Sequence, residues 1–198
     1  MQWGIKRALD VVAGISALAL LAPFFAVVAV VIKLTSAGPV FFWDTRVGKD
    51  GKRFLMAKFR TMREDASRAG SDRRMVPGDG RITTIGRWLR RWSADELPQL
   101  WNVLAGDMSL IGPRPLLPIH AEHLNQRQWR RLSVRPGLTG WAQVNGRNDI
   151  PWEVRIEKDL QYIDEFSLWL DFKITMKTLI VIAAGKGIYS ILQQRDAL

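Results

Sequence analysis

The amino-acid sequence predicts an α+β fold that is mostly helical, with an N-terminal membrane helix ahead of a compact domain. An uncharged run from Val11 to Ile32 is typical of a membrane helix. Two β-rich segments around residues 48–51 indicate a small β-hairpin. Apolar residues that recur at helical spacing between Ile85 and Trp92 indicate an amphipathic helix. We therefore divide the chain into residues 1–36, the membrane helix with its flanks, and residues 37–198, the folded domain.

The composition favours partners that carry phosphate. The 198 residues include 29 Lys and Arg against 19 Asp and Glu, which gives a formal net charge of +10. A field of this sign attracts nucleic acid, an anionic membrane leaflet or a nucleotide-linked substrate. The chain has no cysteine, which excludes disulfides, thiolate zinc sites and cysteine nucleophiles. His120 and His123 lie one helical turn apart without a third ligand nearby, so we interpret them as polar helix residues.

The uncharged run is long enough to cross a bilayer, but it carries a proline in its middle. Its 22 residues extend about 33 Å at ~1.5 Å per residue, too long for a signal-peptide core. Pro23 removes one helical hydrogen bond and crowds the preceding turn. Basic residues flank both ends, with Lys6 and Arg7 before the run and Lys33 after it. A helix that bends at Pro23 and leaves by the face it entered keeps these charges on one side. The residues favour this re-entrant path, although bilayers also tolerate a proline-kinked span.

The next elements follow in chain order. Val40 to Val47 and Arg53 to Phe59 are the predicted hairpin strands. The polar residues 62–80 are predicted to form a long loop. The helix between Ile85 and Trp92 carries arginines opposite its tryptophans. This pattern fits a core helix with a solvated face and a helix on the membrane surface equally well.

The second half of the chain gives weaker signals. Pro98 to Leu104 is predicted to be a short helix that Gly106 ends. Residues 111–115 are predicted to be rigid and extended, and glycine-rich turns follow between residues 135 and 148. Leu168 to Ala184 is too short and too charged to span a bilayer. Its pattern does not separate a strand from a helix.

Two adjacent carboxylates, Asp95 and Glu96, stand directly before the Pro98 helix. One interpretation is a capping box, in which Ser93 caps a helix and Glu96 reaches back to it. Pro98 argues against it, because in a helix begun at Ser93 the proline ring would clash with the carbonyl of Ala94. We therefore expect the helix to begin at Pro98, with both acids just outside its positive end.

Such a pair is suited to chemistry at phosphorus. An aspartate attacks a phosphoryl group poorly unless cations neutralise the electrophile, and the acyl phosphate that it forms is reactive. A neighbouring glutamate that holds Mg²⁺, with arginines around the phosphate oxygens, supplies this neutralisation. The available cations in the sequence are Arg87, Arg90, Arg91, Arg114 and Arg147.

Several motifs occur in the order of a known family. They are Lys6-Arg7 with Asp10, the proline-containing apolar helix, Gly38-Pro39-Val40-Phe41-Phe42, Lys58-Phe59-Arg60-Thr61-Met62, Asp95-Glu96-Leu97-Pro98-Gln99, Gly106-Asp107-Met108-Ser109, Gly112-Pro113-Arg114-Pro115 and Pro136-Gly137-Leu138-Thr139-Gly140. From about Lys6 to about Ile182 the chain resembles the monotopic phosphoglycosyl transferases, the bacterial sugar transferase family. Ala22 stands where members often carry serine, which leaves the geometry at Pro23 open.

The resemblance implies transfer of a phosphosugar from a UDP-sugar to a polyprenol phosphate such as undecaprenyl phosphate, with release of UMP. It implies that Asp95 is the nucleophile and forms a covalent phosphosugar intermediate, and that Glu96 binds Mg²⁺. The residues that it places near the substrates are Lys58, Arg60, Arg90, Pro113, Arg114, Pro115 and Arg147.

The resemblance also implies a location. The helix broken at Pro23 would be re-entrant, Leu168 to Ala184 would be helical, and amphipathic helices would lie on the membrane. We expect the cytoplasmic face of the bacterial inner membrane, with residues 37–198 as the cytoplasmic catalytic domain, and no nucleic-acid partner. The chain as a whole resembles a minimal catalytic unit of the family. The competing hypothesis is a basic membrane-tethered scaffold or nucleic-acid-binding protein, which gives Asp95 and Glu96 no role. The oligomeric state stays open, a dimer being one option, and the sugar is not specified.

Overall fold

The computed structural model describes residues 2–63, 80–146 and 149–183. Their architecture is mostly helical with two small sheets, as the α+β prediction required. The helices are α1 (Gln2–Thr35), α2 (Thr84–Arg91), α3 (Gln99–Ala105), α4 (Pro118–Ala121), α5 (Gln126–Trp129), α6 (Trp141–Val144), α7 (Trp152–Asp164) and α8 (Leu168–Ala183). The strands are β1 (Phe41–Val47), β2 (Arg53–Phe59), β3 (Ser109–Ile111) and β4 (Gly137–Thr139).

Helix α1 is one α-helix of 34 residues that continues through Pro23. By length and composition it could cross a membrane. Most of its apolar central side chains are exposed, including Val12, Leu20 and Val27. The predicted helix is therefore confirmed, while its break at Pro23 and its re-entrant path stay predictions.

The predicted hairpin is confirmed. Strands β1 and β2 pair antiparallel from Phe41 opposite Phe59 to Val47 opposite Arg53. The turn between them contains Asp50 and Gly51 at positive φ, 56° and 76°, a conformation that asparagine, aspartate and glycine tolerate best.

Helices α2 and α3 pack beside the hairpin. Thr83 caps α2, since its hydroxyl accepts a hydrogen bond from the Gly86 N–H. Gly86 lies against the chain that follows β2, and a Cβ added there would come within 2.1 Å of the Thr61 carbonyl oxygen. Helix α3 ends at Gly106 in the left-handed conformation with φ 95°. Both ends of α3 thus agree with the predicted helix to within one residue.

In the second sheet β3 and β4 pair parallel, and α8 packs against both strands. Helix α8 resolves the ambiguous segment: Leu168 to Ala183 is helical, and Ala184 lies outside the described residues. A buried polar network joins α8 to the start of α1. Lys6 donates to Asp171 at 2.7 Å, and Tyr162 donates to the same carboxylate at 2.8 Å.

Candidate active site at the start of helix α3

The two adjacent acids lie in a tight turn that precedes α3. Ser93 adopts a left-handed conformation with φ 54°, a short 3₁₀ turn covers Ala94–Glu96, and Pro98 is the N-cap of α3. The Ser93 side chain makes no capping hydrogen bond. The capping box is therefore not formed, and the acids stand outside the helix, as Pro98 predicted.

Glu96 is buried and is bound by two cations from distant parts of the chain. Lys58, on β2, donates to its Oε1 at 3.0 Å. Arg114 binds it through both terminal nitrogens, with Nη1 3.1 Å from Oε2 and Nη2 2.5 Å from Oε1. Bidentate arginine–carboxylate pairs fix geometry as well as charge. Only 8% of Glu96 is exposed, so its carboxylate is largely shielded from water, whereas 39% of the Arg114 side chain is exposed.

Asp95 is half-buried beside this cluster. Burial, and next the charge of Glu96, raise the pKa of the Asp95 carboxyl, while Lys58, Arg90 and Arg114 lower it in part. A carboxylate with a raised pKa is a better nucleophile once it is ionised. The structure therefore brings together four of the predicted site residues around Asp95: Lys58, Arg90, Glu96 and Arg114.

The other predicted cations have different surroundings. Arg90, near the end of α2, donates from Nε to the Thr61 hydroxyl at 2.8 Å. Arg60 is buried and donates from Nη2 to the carbonyl and the hydroxyl of Ser36, both at 2.8 Å. Arg60 thus holds the end of α1, and its substrate contact stays a prediction. Arg147 lies outside the described residues.

The Pro113-Arg114-Pro115 turn is held by hydrogen bonds to all three of its carbonyls. Gly137 N–H donates to Pro113 O at 2.8 Å. Arg131 Nη2 donates to Arg114 O at 3.0 Å, and Arg46 Nη1 reaches Pro115 O at 3.5 Å. These contacts orient Arg114 towards Glu96.

A buried ion pair, which was not predicted from the sequence, supports this turn. Arg131 and Asp159 are each about 97% buried and bonded to each other. Burial raises the pKa of Asp159 to about 6, and Arg131 offsets part of that rise. The two residues are 28 positions apart. No local pattern marks such a pair.

Replacing Arg131 with methionine is expected to destabilise the fold by about 3–5 kcal/mol, because it leaves the Asp159 carboxylate buried without a cation. Thermal unfolding of the detergent-solubilised protein measures the effect. The matched control is Arg127→Met, since Arg127 pairs with Glu157 on the exposed surface and should cost about 1 kcal/mol or less. Equal losses in the two variants would contradict a special role for the buried pair.

The donor set at the site fits a hard cation better than zinc. Within the described part of the chain, no group of three or more His, Cys, Asp or Glu could hold a metal. Mg²⁺ needs no such cage, because it is commonly held by one or two carboxylates together with substrate phosphates and water. Asp95 and Glu96 supply carboxylate oxygens of this kind. Because Lys58 and Arg114 already bind Glu96, a cation there would share the carboxylate with them.

Comparison with known proteins decides the family. The family model for bacterial sugar transferases matches residues 1–185. The chain belongs to the bacterial sugar transferase family. It is 43% identical over 184 residues to the uncharacterized sugar transferase EpsL of Bacillus subtilis (strain 168), covering 93% of this chain and 90% of that protein.

Two longer relatives have names that state a reaction. This sugar transferase is 44% identical to the undecaprenyl-phosphate glucose phosphotransferase of Komagataeibacter xylinus, covering 90% of this chain and 36% of the relative. It is 41% identical to the UDP-glucose:undecaprenyl-phosphate glucose-1-phosphate transferase of Escherichia coli (strain K12), covering 93% of this chain and 41% of the relative. The chain thus spans less than half of either protein.

The sugar transferase also exposes a set of aromatic side chains on its helices. Trp88 and Trp92 at α2, Trp101 on α3 and Trp169 and Phe172 on α8 are all at least 41% exposed. Tryptophan beside basic residues is typical of the membrane–water interface. This surface therefore fits membrane association, together with the exposed apolar side chains of α1.

Proposed function

We propose that this protein transfers a sugar phosphate from a UDP-sugar to a polyprenol phosphate, with Asp95 as the nucleophile. The observation that carries the proposal is the placement of Asp95 beside Glu96 and three cations that act on its charge. The names of the relatives support a polyprenol acceptor and a nucleotide-sugar donor. Family membership supports the transferase class.

In the first half-reaction, a carboxylate oxygen of Asp95 forms a bond to the β-phosphorus of the donor. The bond from that phosphorus to the bridging oxygen breaks, and UMP leaves with the electron pair. Lys58, Arg90 and Arg114 stabilise the negative charge that spreads over the phosphoryl oxygens. The product is a mixed anhydride in which Asp95 carries the phosphosugar.

Glu96, with Asp95 beside it, would hold Mg²⁺, which supplies charge neutralisation at the phosphates when bound. The protein side chains around Asp95 position the reacting groups. Arg114 is fixed on Glu96 through two hydrogen bonds and is anchored through its carbonyl by Arg131. A fixed guanidinium stabilises developing charge without having to reorganise during the reaction.

In the second half-reaction, an oxygen of the polyprenol phosphate attacks the same phosphorus. The bond between phosphorus and the Asp95 oxygen breaks, which restores the carboxylate and yields a polyprenyl diphosphate sugar. A carboxylate is a good leaving group from phosphorus, so this step is intrinsically easier than the first. The acceptor is a lipid, and it must therefore reach Asp95 from the membrane.

The contacts of α1 support a re-entrant membrane helix. Near its start, Asp10 accepts hydrogen bonds from the Ser109 hydroxyl at 2.8 Å and the Leu110 N–H at 3.1 Å. Near its end, Ile32 is fully buried in a cluster with Phe59. Both ends thus pack on one folded domain. A helix that crossed the bilayer would have to separate them by the ~30 Å hydrocarbon core.

Labelling of single cysteines is expected to place both ends of α1 on the cytoplasmic side. The chain has no native cysteine, so Gln2→Cys and Thr35→Cys each give one exposed thiol. In inside-out vesicles an impermeant maleimide should react with both variants, and in right-side-out vesicles with neither before lysis. Reaction of the two thiols from opposite sides would reject the re-entrant path in favour of a span.

The proposed reaction is tested by UMP release. Detergent-solubilised protein with Mg²⁺ and undecaprenyl phosphate should release UMP from at least one member of a panel of UDP-sugars, and removal of the lipid should stop turnover after one equivalent. This single-equivalent burst is expected because Asp95 retains the phosphosugar until an acceptor arrives. A membrane-tethered scaffold, the competing hypothesis, would release no UMP with any member of the panel.

A further inference from the structure

A cavity of about 170 Å³ lies beside Arg114, outside the cluster that surrounds Asp95. Ligand pockets for whole small molecules usually measure about 300–1,000 Å³. The cavity is therefore large enough for one ring or one phosphate, and too small for a complete nucleotide sugar. Its walls are mainly apolar, formed by Pro115, Leu117, Ala142 and Trp152 among others. Apolar walls suit a planar ring better than a phosphate.

Four buried polar atoms of the lining have no hydrogen-bond partner in the described part of the chain: Arg131 Nε, Arg131 Nη1, Gln143 Oε1 and Arg155 Nε. The orientation of the Gln143 amide is fixed, since its Nε2 donates to Leu138 O at 3.0 Å. The acceptor Oε1 is thus left available. Buried polar atoms are nearly always paired, so these atoms indicate a partner from outside the chain.

The ion pairs of the arginines that line the cavity also support an outside partner. Three of these arginines are ion-paired: Arg46 with Asp44, Arg114 with Glu96 and Arg131 with Asp159.

The fourth arginine of the lining, Arg155, has no ion pair in the part of the chain that the structure describes. Its guanidinium carbon Cζ lies 5.7 Å from the centroid of the Trp152 ring. Burial and the charge of Arg114 lower the pKa of Arg155. The cavity thus has unpartnered donor atoms on Arg131 and Arg155 and one fixed acceptor on Gln143, between mainly apolar walls.

We propose that this cavity holds the uracil ring of the donor nucleotide. Uracil presents an N–H between two ring carbonyls. Gln143 Oε1 accepts from the ring N–H, and Arg155 Nε donates to a ring carbonyl. Cytosine presents a bare ring nitrogen at the same position, which would face the Gln143 oxygen without a proton between them. This inference rests on the proposed use of a UDP-sugar.

Arg114 links the cavity to the catalytic acids. Its carbonyl accepts from Arg131 at the cavity, while its guanidinium binds Glu96. The length of one arginine side chain therefore separates the two sites. A ribose separates the base from the phosphates of a nucleotide in a comparable way. A base in the cavity would thus leave the diphosphate near Lys58 and Arg114.

Equilibrium binding tests the assignment without turnover. Isothermal titration of the full-length, detergent-solubilised protein with UMP, CMP and ribose 5-phosphate should show UMP binding roughly five- to tenfold more tightly than CMP. Gln143→Met and Arg155→Met should each weaken UMP by a similar factor and leave ribose 5-phosphate within about twofold. Arg127→Met, on the exposed surface, is the control and should bind all three ligands as the wild type does.

Three results would overturn the assignment: equal affinities for UMP and CMP, equal weakening of UMP and ribose 5-phosphate in the variants, or no weakening of UMP. Thermal unfolding shows whether Gln143→Met folds, because that change also removes the bond to Leu138, and Arg155→Met serves as the independent variant. Mass analysis of Asp95 with UDP-sugars on the same preparation separates the two hypotheses. If Asp95 is labelled but UMP and CMP bind equally, only the assignment of the cavity to uracil is rejected. If UMP binds more tightly than CMP but Asp95 is not labelled, only the proposed transfer reaction is rejected.

Discussion

Replacing Asp95 with asparagine is expected to abolish the covalent phosphosugar adduct and to lower UMP release by roughly 10⁴-fold or more, the scale of losing a nucleophile in other enzymes. Asparagine has nearly the same shape, so the turn at Ala94–Glu96 should persist. Its amide carries no charge and cannot form an acyl phosphate. Intact-mass spectrometry after acid quenching should show a wild-type adduct of one sugar phosphate and none in the variant.

The matched control is Asp164→Asn, at an exposed carboxylate that pairs with Arg130. It should label and turn over as the wild type does. Asparagine at position 95 regains activity if it deamidates, so the fraction of aspartate must be measured in each preparation. Activity that does not scale with that fraction would remove Asp95 from the nucleophile role.

The sequence predicted those elements whose backbone conformation depends on residues nearby in the chain. A proline at the start and a glycine past the end located α3, and Pro98 correctly excluded the capping box at Ser93. The glycine turn between two β-rich segments located the hairpin, whose strands pair antiparallel. Each of these results depends on backbone restrictions that act within a few residues.

The pairing of charges across the fold was not predictable in this way. Glu96 binds Lys58, 38 positions earlier, and Arg114, 18 positions later. The resemblance named these residues, but it did not say which of them pair. The secondary structure of Leu168–Ala183 was not predictable from its pattern either. An apolar run interrupted by charges fits both the helical and the strand periodicity, and the elements that pack against it decide between them.

Helix α1 and the two adjacent acids are connected through α3. Arg7, near the start of α1, donates to the carbonyls of Val103 at 2.6 Å and Leu104 at 3.1 Å in the last turn of α3. The acids precede the other end of this helix of seven residues, about 10 Å long at ~1.5 Å per residue. In the proposed membrane placement, the position of α1 would therefore set the distance between Asp95 and the lipid surface.

Replacing Glu96 with glutamine is expected to raise the Mg²⁺ concentration for half-maximal labelling of Asp95 by at least about tenfold, the usual scale for disturbing a metal site. Glutamine keeps the shape but loses the charge, and one of its two oxygens becomes an N–H₂ group that cannot bind a cation. A titration of Mg²⁺ against the initial rate of adduct formation, begun from EDTA-treated protein, measures the shift.

If Glu96 only positions Lys58 and Arg114, with which it is ion-paired, its replacement should lower the rate without shifting the Mg²⁺ dependence. Lys58→Met separates the two roles: it removes one cation from the cluster and keeps the carboxylate. It should lower the rate at saturating Mg²⁺ and leave the half-saturating concentration unchanged. If Glu96→Gln behaves in the same way, Glu96 positions Lys58 and Arg114 and does not bind the metal. If only Glu96→Gln shifts the Mg²⁺ dependence, the carboxylate is the ligand, and Arg114 is held beside the metal by the same side chain.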